Sequence, residues 1–434
     1  MGIFDPLRLL AVVRDPMSTM VGGIVEVLRM AKPKKSKVKK PAAPKVSDAA
    51  QLFMSLVEQF DYRQGPNAAA QRLTNVTFFA GAGFSKSWDP NAPVGSQLFS
   101  LKTEVMEEVA NIGVLSRMFG LDSLSRITPD QLRQIIYQMD MYERYPDVRS
   151  RYVDEQNIAM FRGALRAAIV DRYNELTQLN YFDPAASKFP LDNPTVEQLE
   201  IVGFFRNLLA KTDGSTGFAE GVRTHFVTTN YDYVIETILD NVLSPDDSHF
   251  LYSYRGFTPI QIVDGPNNTP VHEHWLTQHL LKINGGFEIL RRGSDYILDY
   301  SQRAPSSIIG DPPIVMLASR EQDYSDPYFR TIFPKVVRLM RESMVLVIVG
   351  YSLPEDDALL RFFIRQFAEE PEDGFGKYIF YIDINENSQK RKTLEAVFPS
   401  MVTLDQPTVI TYQGSFSAFA KECISLSPAV PDPF

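Results

Sequence analysis

The sequence predicts an α/β fold: a Rossmann-like, mainly parallel sheet with helices on both faces and a helical insertion. Short β-branched and aromatic runs recur along the chain, and helical patterns stand between several of them. Strands that alternate with helices favour a parallel sheet covered on both faces. In addition, the first of these runs leads directly into a glycine-rich turn, as expected where a buried strand feeds a tight loop.

Seven runs are predicted as strands: residues 76–80, 225–229, 280–283, 313–317, 344–349, 378–384 and 408–412. Residues 301–312 are predicted as a surface loop. From about residue 100 to 212 the spacing is helical, and apolar positions recur every three or four residues from Ile158 to Tyr173. This stretch is the predicted helical insertion.

The composition excludes several classes of protein. Of 434 residues, 44% are hydrophobic and 22% charged, which excludes wholesale disorder. A formal charge of −9 disfavours a dedicated nucleic-acid binder. The single cysteine, Cys423, excludes an intramolecular disulfide and a zinc site built from several thiolates. Its scarcity fits a reducing compartment, so we expect a cytoplasmic protein.

The first residues differ in charge from the rest of the chain. Residues 1–45 carry ten basic side chains against three acidic ones. The run from Lys32 to Lys45 repels itself and contains three prolines, which predicts an extended linker. Residues 1–46 are therefore predicted as an N-terminal arm with a basic linker, and 47–434 as one domain. Contact with nucleic acid or a membrane is expected only through residues 32–45, if at all.

The glycine-rich turn after the first strand is the first candidate binding element. Ligands of open parallel sheets bind at the carboxyl ends of the strands, where glycines let backbone N–H groups approach a pyrophosphate. The turn comprises Gly81, Ala82, Gly83 and Ser85. By itself the motif is equally explained by a tight turn that requires a positive φ.

Further segments follow in an order that resembles the sirtuin superfamily, and within it the SIR2-like branch of bacterial antiviral defence. They are Thr228-Thr-Asn-Tyr-Asp232, Lys282-Ile-Asn-Gly285, the turn of Gly350 and Ser352 after a late strand, and Ile384-Asn385. The resemblance extends over about residues 70–390 and includes the helical insertion.

The resemblance implies NAD⁺ as the ligand and substrate. Asn230 would hold the ribose and the nucleophilic water, and Asp232 would order the loop. The pyrophosphate would be held by Gly81, Ala82, Gly83 and Ser85, with Thr228 also counted among the binding residues. Gly350, Ser352 and Asn385 would line the adenosine half. The three segments around Phe84, Tyr231 and Tyr351 are far apart in the chain. We expect them to meet at one edge of the sheet around a single dinucleotide.

Two departures from the family pattern shape the expected chemistry. Deacylases of the family carry a module with four zinc-binding cysteines, which one cysteine cannot build, so we expect no zinc and water rather than acyl-lysine as the acceptor. Asn284 stands where the family has its catalytic histidine, and an amide cannot act as a general base. His274, His279 and Glu288 are candidate substitutes for that base.

The expected function is therefore hydrolysis of NAD⁺ to nicotinamide and ADP-ribose in antiviral, abortive-infection defence. The alternative is a catalytically impaired sensor or assembly subunit that binds NAD or ADP-ribose. A homo-oligomer is expected, with a partner protein or ATPase subunit as regulator. Two site features also have structural explanations: Asn230 and Asp232 as caps of a helix over 233–239, and Ser352 with Glu355 as a capping box.

Overall fold

A parallel sheet forms the centre of the protein. The computed structural model describes residues 46–60, 74–103, 117–121, 125–149, 151–209, 222–242, 255–266, 279–317, 319, 324–355, 357–369, 376–401 and 407–426. Within these residues, six parallel strands lie in the order β6-β4-β1-β9-β10-β11. Their bounds are β1 Thr74–Ala80, β4 Val222–Thr228, β6 Leu280–Lys282, β9 Ser343–Val349, β10 Tyr378–Asp383 and β11 Thr408–Gln413.

Numbered by their place in the chain, these strands have the order 3-2-1-4-5-6. This is the doubly wound order of Rossmann folds, in which the direction of winding reverses between the first and fourth strands. Here that reversal lies between β1 and β9, which pair in parallel. The Rossmann-like fold predicted from the sequence is confirmed.

The strand predictions are confirmed except at one run and its neighbouring loop. Residues 313–317 do not form a strand, because Val315 makes only an isolated bridge to Gly285. Residues 301–312 were expected to be a loop but include a short helix, Pro305–Gly310, whose first position is a proline. Proline is well tolerated there because the first N–H of a helix has no partner within the helix.

The remaining elements cover and extend the sheet. The helices are α1 Asp48–Phe60, α2 Ala82–Trp88, α3 Gly95–Leu98, α4 Pro129–Arg144, α5 Glu155–Leu176, α6 Val196–Leu209, α7 Val234–Val242, α8 Pro305–Gly310, α9 Pro327–Glu342, α10 Ala358–Glu369, α11 Asn387–Val397 and α12 Phe416–Leu426, with a 3₁₀ turn at Pro146–Val148. The short strands are β2 Leu101–Lys102, β3 Arg126–Ile127, β5 Gln261–Val263, β7 Ile289–Arg292 and β8 Asp295–Asp299.

The helices form one layer on each face. On one face α6 packs against α12, and α1 packs against α12. Because right-handed crossovers change face where the winding direction reverses, α9, α10 and α11 cover the other face. The predicted helical insertion contains α4 and α5, and α6 at its end packs on β4 as part of the first layer.

The core of the first layer is a cluster of phenylalanine rings around Phe78 of β1. Their centroids lie 5.1 to 6.4 Å apart, mostly in edge-to-face contact, which favours ring pairs beyond their buried area. The members are Phe53, Phe78, Phe84, Phe204, Phe205, Phe226, Phe416 and Phe419. Phe84 follows the glycine turn, so the core anchors the start of α2.

The described residues between 46 and 426 belong to one compact unit. The predicted arm and basic linker lie outside the described residues and stay predictions. In the parts of the chain that the structure describes, no helix combines the length and apolar character needed to cross a bilayer.

A buried histidine joins three strands of the sheet. His225 of β4 is fully buried, and its Nδ1 accepts a hydrogen bond from the backbone N–H of His279 over 3.1 Å. The proton must therefore sit on Nε2, which donates to Asn75 Oδ1 at 3.2 Å. Burial, with further contributions from His279 and Arg223, holds the pKa of His225 well below its usual value.

Because His225 is buried in its neutral form, we expect the free energy of unfolding to fall in acid. Below about pH 6.5 the unfolded chain takes up a proton that the folded protein cannot, which lowers the free energy of unfolding by up to about 1.4 kcal/mol per pH unit. Urea unfolding at several pH values between 7.5 and 5 measures this slope. His225→Gln should reduce the slope, although the variant is less stable at pH 7.5; equal slopes would contradict the assignment.

Candidate functional site

One large cleft opens at the carboxyl ends of β1, β4, β9 and β10. Its volume is about 1230 Å³. The residues predicted from the sequence that line it are Ala82, Gly83, Ser85, Asn230, Asp232, Asn284, Gly350, Ser352 and Asn385. Gly81 and Thr228 are buried directly beneath it. The three distant segments thus meet at one edge of the sheet; their role in binding a ligand stays a prediction.

The loops that follow β1 and β9 touch backbone to backbone. Gly83 N–H donates to the Gly350 carbonyl at 2.9 Å, and Gly81 N–H donates to the Val349 carbonyl at 2.9 Å. A Cβ on Gly83 would lie 2.6 Å from the Cα of Gly350, and Gly350 itself has a φ of +58°. These glycines therefore permit the close approach of the two loops at the switch point, the place between β1 and β9 where the direction of winding reverses.

The side-chain amide of Asn230 has one possible orientation. Its Nδ2 lies 2.9 Å from the Gly81 carbonyl oxygen and 2.8 Å from Ser85 Oγ. Because a carbonyl oxygen can only accept, the NH₂ group must face Gly81. Its Oδ1 accepts a long hydrogen bond of 3.5 Å from the Thr229 hydroxyl. Asn230 lines the cleft, and an amide oxygen has two lone pairs, so one acceptor site of Oδ1 is left for a ligand.

Ser85 and Asp232 support this amide from behind. Ser85 is buried and its hydroxyl donates to Asp232 Oδ2 at 2.7 Å. Asp232 Oδ1 accepts from the backbone N–H of Val234 at 3.1 Å, so Asp232 also caps the start of α7, as the structural explanation required. Burial raises the pKa of Asp232, opposed by the Ser85 hydrogen bond and the nearby Lys282.

Asn284 also lines the cleft. Its Nδ2 donates to the Thr229 carbonyl at 3.3 Å, so this amide also turns its NH₂ toward the main chain. The backbone carbonyl of Asn284 accepts from Met316 N–H, and Tyr231 Oη donates to the Met316 carbonyl at 2.9 Å. Asn284 is thereby attached to the loop of residues 228–232 (the T-x-N-x-D loop), which carries Asn230.

A fully buried group of charges lies beneath this loop. Lys282 Nζ lies 2.8 Å from Glu236 and 3.0 Å from Glu288, and Arg255 lies 3.2 Å from Glu236 and 3.5 Å from Glu288. Lys282 Nζ also donates to the Asp232 backbone carbonyl at 2.6 Å. Glu288 is paired with Lys282 and Arg255 in this cluster and does not line the cleft. This placement argues against Glu288 as the general base that would replace the family's histidine.

The end of the cleft beyond β9 has a different character. Ser352 and Asn385 are exposed there, and Lys390 Nζ donates to the carbonyls of Asp383, Asn385 and Tyr412 at 2.6 to 2.9 Å. Lys390 thereby joins the ends of β10 and β11. The expected capping box of Ser352 and Glu355 is wrong, because α10 begins only at Ala358 and Leu353 adopts a φ of +53°.

The histidines do not supply a replacement base within the described residues. His225 and His279 lie along β4 and before β6, away from the carboxyl ends of those strands, and neither lines the cleft. His272 and His274 fall outside the described residues. The described residues also contain no group of three or more His, Cys, Asp or Glu that could hold a metal ion.

The cleft has one wall that sequence reasoning missed. Pro129 and Arg133 of α4 and Tyr173 of α5 line it from the helical insertion. Tyr173 was recognised only as an apolar position of a helix, because its ring continues the helical spacing from Ile158. Nothing local in the sequence distinguishes it from the other core positions of α5.

Part of the chain matches the model of a known protein family. Residues 224–398, about two fifths of the chain, match the family model of the SIR2-like domain. That part of the chain is similar to the SIR2-like domain. The match supports an NAD-related enzymatic or binding function. A search of curated proteins finds no significant match.

Solved structures that are similar to this chain include Sir2 enzymes. One, from work on the structural basis of Sir2 mechanism and regulation, is 10% identical with a TM-score of 0.35, and the match covers 87% of this chain and 97% of that one. A Sir2 homologue with a serine-to-alanine substitution, in complex with ADP-ribose, is 11% identical with a TM-score of 0.35 (82% and 94% covered). A triple mutant in complex with 2′-O-acetyl ADP-ribose is 11% identical with a TM-score of 0.36 (86% and 94% covered).

The contact between the two glycine loops predicts unequal effects of glycine substitutions in the SIR2-like domain. Gly350→Ala introduces a Cβ 2.3 Å from the Cα of Gly83 at a positive φ. Gly293→Ala is the matched control, because Gly293 has a φ of +64° but open space around its Cβ position. We expect Gly293→Ala to cost about 1 kcal/mol of unfolding free energy and Gly350→Ala at least about 2 kcal/mol more. Denaturant unfolding measures both; equal losses would contradict the tight contact.

Proposed function

We propose that this chain binds NAD⁺ and hydrolyses the bond between nicotinamide and ribose, releasing nicotinamide and ADP-ribose. The observation that carries the proposal is the amide of Asn230. Gly81 and Ser85 hold its NH₂ group at a cleft at the switch point of the sheet. Its oxygen accepts only the 3.5 Å hydrogen bond from Thr229 and keeps a second lone pair for a ligand.

The shape of the cleft suits a dinucleotide. In sheets of this strand order a dinucleotide lies across the switch point, with one half over each set of strands. Residues without long side chains, Ala82, Gly83 and Gly350, line the cleft there and leave room for a pyrophosphate. The adenosine half would lie toward Ser352 and Asn385. A volume of about 1230 Å³ exceeds the roughly 300–1,000 Å³ of pockets for one drug-sized ligand.

The nicotinamide half would lie over β4 and β6, between Asn230 and Asn284. Cleavage leaves the electron pair of the C–N bond on the ring nitrogen of nicotinamide, which departs neutral. Positive charge then develops on the ribose, as in glycoside hydrolysis. The Asn230 oxygen is the negative end of a fixed dipole, so it stabilises this charge or accepts a hydrogen bond from a ribose hydroxyl or the attacking water.

Water completes the reaction by forming a bond to the anomeric carbon and releasing one proton. Asn284 cannot accept that proton, because an amide does not titrate near neutral pH. An oxocarbenium-like ribose is electrophilic enough to react with neutral water, which then loses its proton to solvent. Without a general base the reaction is therefore expected to be slower, since such a group contributes about 10²- to 10⁴-fold.

The second candidate function is a sensor or assembly subunit that binds NAD⁺ or ADP-ribose without cleaving it. The observation that favours it is Asn284 itself, an amide hydrogen-bonded to the Thr229 carbonyl at the wall of the cleft. The two candidates share the binding site and differ only in turnover. Release of free nicotinamide from NAD⁺, measured by chromatography, separates them.

We further propose that the activity serves antiviral, abortive-infection defence in the cytoplasm. An enzyme that depletes NAD⁺ must be restrained until it is needed, and assembly of copies or a regulatory partner, such as an ATPase subunit, provides such restraint. The basic arm of residues 1–46 is the sequence feature suited to recruiting a partner.

Replacement of Asn230 tests the proposed chemistry. Asn230→Ala should lower the rate of nicotinamide release by about 100-fold or more, because it removes the dipole that faces the developing charge. Asn241→Ala is the matched control: its amide also donates to two acceptors, the Phe189 and Thr237 carbonyls, but does not line the cleft. Retained turnover in Asn230→Ala would remove this residue from the mechanism.

Asn284→His tests whether the chain lacks its base. An imidazole at this position can accept the proton from water, so we expect turnover to rise about tenfold or more, with a new acid limb near pH 6.5. Isothermal titration with NAD⁺ reports whether binding is preserved. If wild type and variant both bind NAD⁺ and neither releases nicotinamide, the sensor function is favoured.

A further inference from the structure

A buried lysine stands in a short run of basic residues in α11. Arg391 and Lys392 are exposed, as expected for charged side chains on a helix, but Lys390 is only 2% exposed. An ammonium group is costly to bury unless its protons are hydrogen-bonded. The position of Lys390 therefore requires acceptors inside the protein, and these acceptors show which parts of the chain the lysine holds.

All three protons of the Lys390 ammonium group are used on backbone carbonyls. Nζ donates to the Asn385 carbonyl at 2.6 Å and to the carbonyls of Asp383 and Tyr412 at 2.9 Å each. An ammonium group has three donors and no acceptor, so no proton is left for a ligand. Lys390 thus acts through the backbone that it holds.

That backbone belongs to two loops that line the cleft. Asp383 and Asn385 line it at the end of β10, and Gly414 lines it directly after β11, two residues beyond Tyr412. The loops also contact each other, because the Gly414 N–H donates to the Asp383 carbonyl at 3.0 Å. Lys390 adds two attachments to the loop after β10 and one to the end of β11, so it joins the two walls at this end of the cleft.

Lys390 also sets the direction of the peptide groups in the loop after β10. In a planar trans peptide the carbonyl and the N–H of the next residue point in opposite directions. Because the carbonyls of Asp383 and Asn385 point to Lys390, the N–H groups of Ile384 and Glu386 point away from it. Ile384 is 75% exposed and lines the cleft, so this peptide group belongs to its wall. Small-molecule sites fix a ligand with a few placed polar groups of this kind.

We propose that Lys390 is a positioning residue that holds the two loops in the arrangement that binds the adenosine half of the dinucleotide. The inference rests on the proposed function, which places that half toward Ser352 and Asn385. Lys390 then contributes to the affinity for ligands that contain adenosine, and not to cleavage of the bond between nicotinamide and ribose.

The test compares Lys390→Met with Lys377→Met. Lys377 is the matched control, because it is also buried and donates to two backbone carbonyls, those of Arg341 at 2.6 Å and Phe367 at 2.9 Å. It stands directly before the first residue of β10, at the opposite end of that strand, and does not line the cleft. Both variants remove a buried ammonium group and its hydrogen bonds to the main chain.

Isothermal titration uses two probes that require no turnover. ADP-ribose contains the adenosine half, and nicotinamide mononucleotide lacks it. For Lys390→Met we expect the Kd of ADP-ribose to rise about tenfold or more, on the scale of losing a residue that orients binding groups. The Kd of nicotinamide mononucleotide should change less than about threefold, and Lys377→Met should leave both values within about threefold. Where NAD⁺ is hydrolysed, Lys390→Met should raise KM and leave kcat nearly unchanged.

Lys390→Gln keeps the comparison decisive if Lys390→Met does not fold. The amide retains two N–H donors and buries no charge, so we expect a smaller rise in the Kd of ADP-ribose in the same direction. Circular dichroism of each variant checks that it is folded.

A wild-type Kd for ADP-ribose in the folded Lys390 variants would overturn the inference, as would an equal rise for both probes or an equal rise in Lys377→Met. If the wild type binds ADP-ribose but releases no nicotinamide from NAD⁺, the proposed hydrolysis fails and the Kd values still decide the role of Lys390. If the wild type does not bind ADP-ribose, the inference fails together with the proposed binding site.

Discussion

The arrangement of the cleft depends on the contact between the backbones of Gly83 and Gly350. In a doubly wound sheet the loops that follow the two strands at the switch point run to opposite faces of the sheet. A crevice therefore opens between these two loops. Here the loops are joined by hydrogen bonds of 2.9 Å from Gly81 and Gly83 to the end of β9. The carbonyl of Gly81, held in this way, is the acceptor that orients Asn230. A close backbone contact thus fixes the direction of the Asn230 NH₂ group.

The buried charges beneath the T-x-N-x-D loop also fix the position of a loop that lines the cleft. Two cations, Lys282 and Arg255, face two carboxylates, Glu236 and Glu288, so the cluster is neutral overall although each member is 0–1% exposed. A buried pair of this kind adds little net stability, but removing one member leaves an uncompensated charge and is strongly destabilising. Its geometry is therefore hard to distort. Since Lys282 also donates to the Asp232 carbonyl, the cluster holds the loop at its C-terminal side.

The sequence predicted the sheet well because buried parallel strands have a local signal, a short apolar run next to glycine or polar turns. It failed at 313–317, an apolar stretch that makes one bridge to Gly285 and otherwise packs as a loop. That the predicted residues at the strand ends would meet at one cleft was predictable, because the topology brings the carboxyl ends together; their role in binding stays a prediction. The places of Tyr173 and Arg255 were not predictable, because tertiary packing determines both. From the sequence, a tyrosine in a helical pattern is expected in the core, and an arginine outside any motif is expected at the surface.

The same packing bears on what Asn284 can do in place of a histidine. An imidazole offers one acceptor nitrogen only when its other nitrogen donates, and here the Thr229 carbonyl occupies the donor side of the residue at 3.3 Å. The amide of Asn284 donates to that carbonyl, as an imidazole N–H at this place could. What the amide lacks is the capacity to gain a proton. An imidazole and an amide at this place can therefore both donate to Thr229, and they differ in proton transfer.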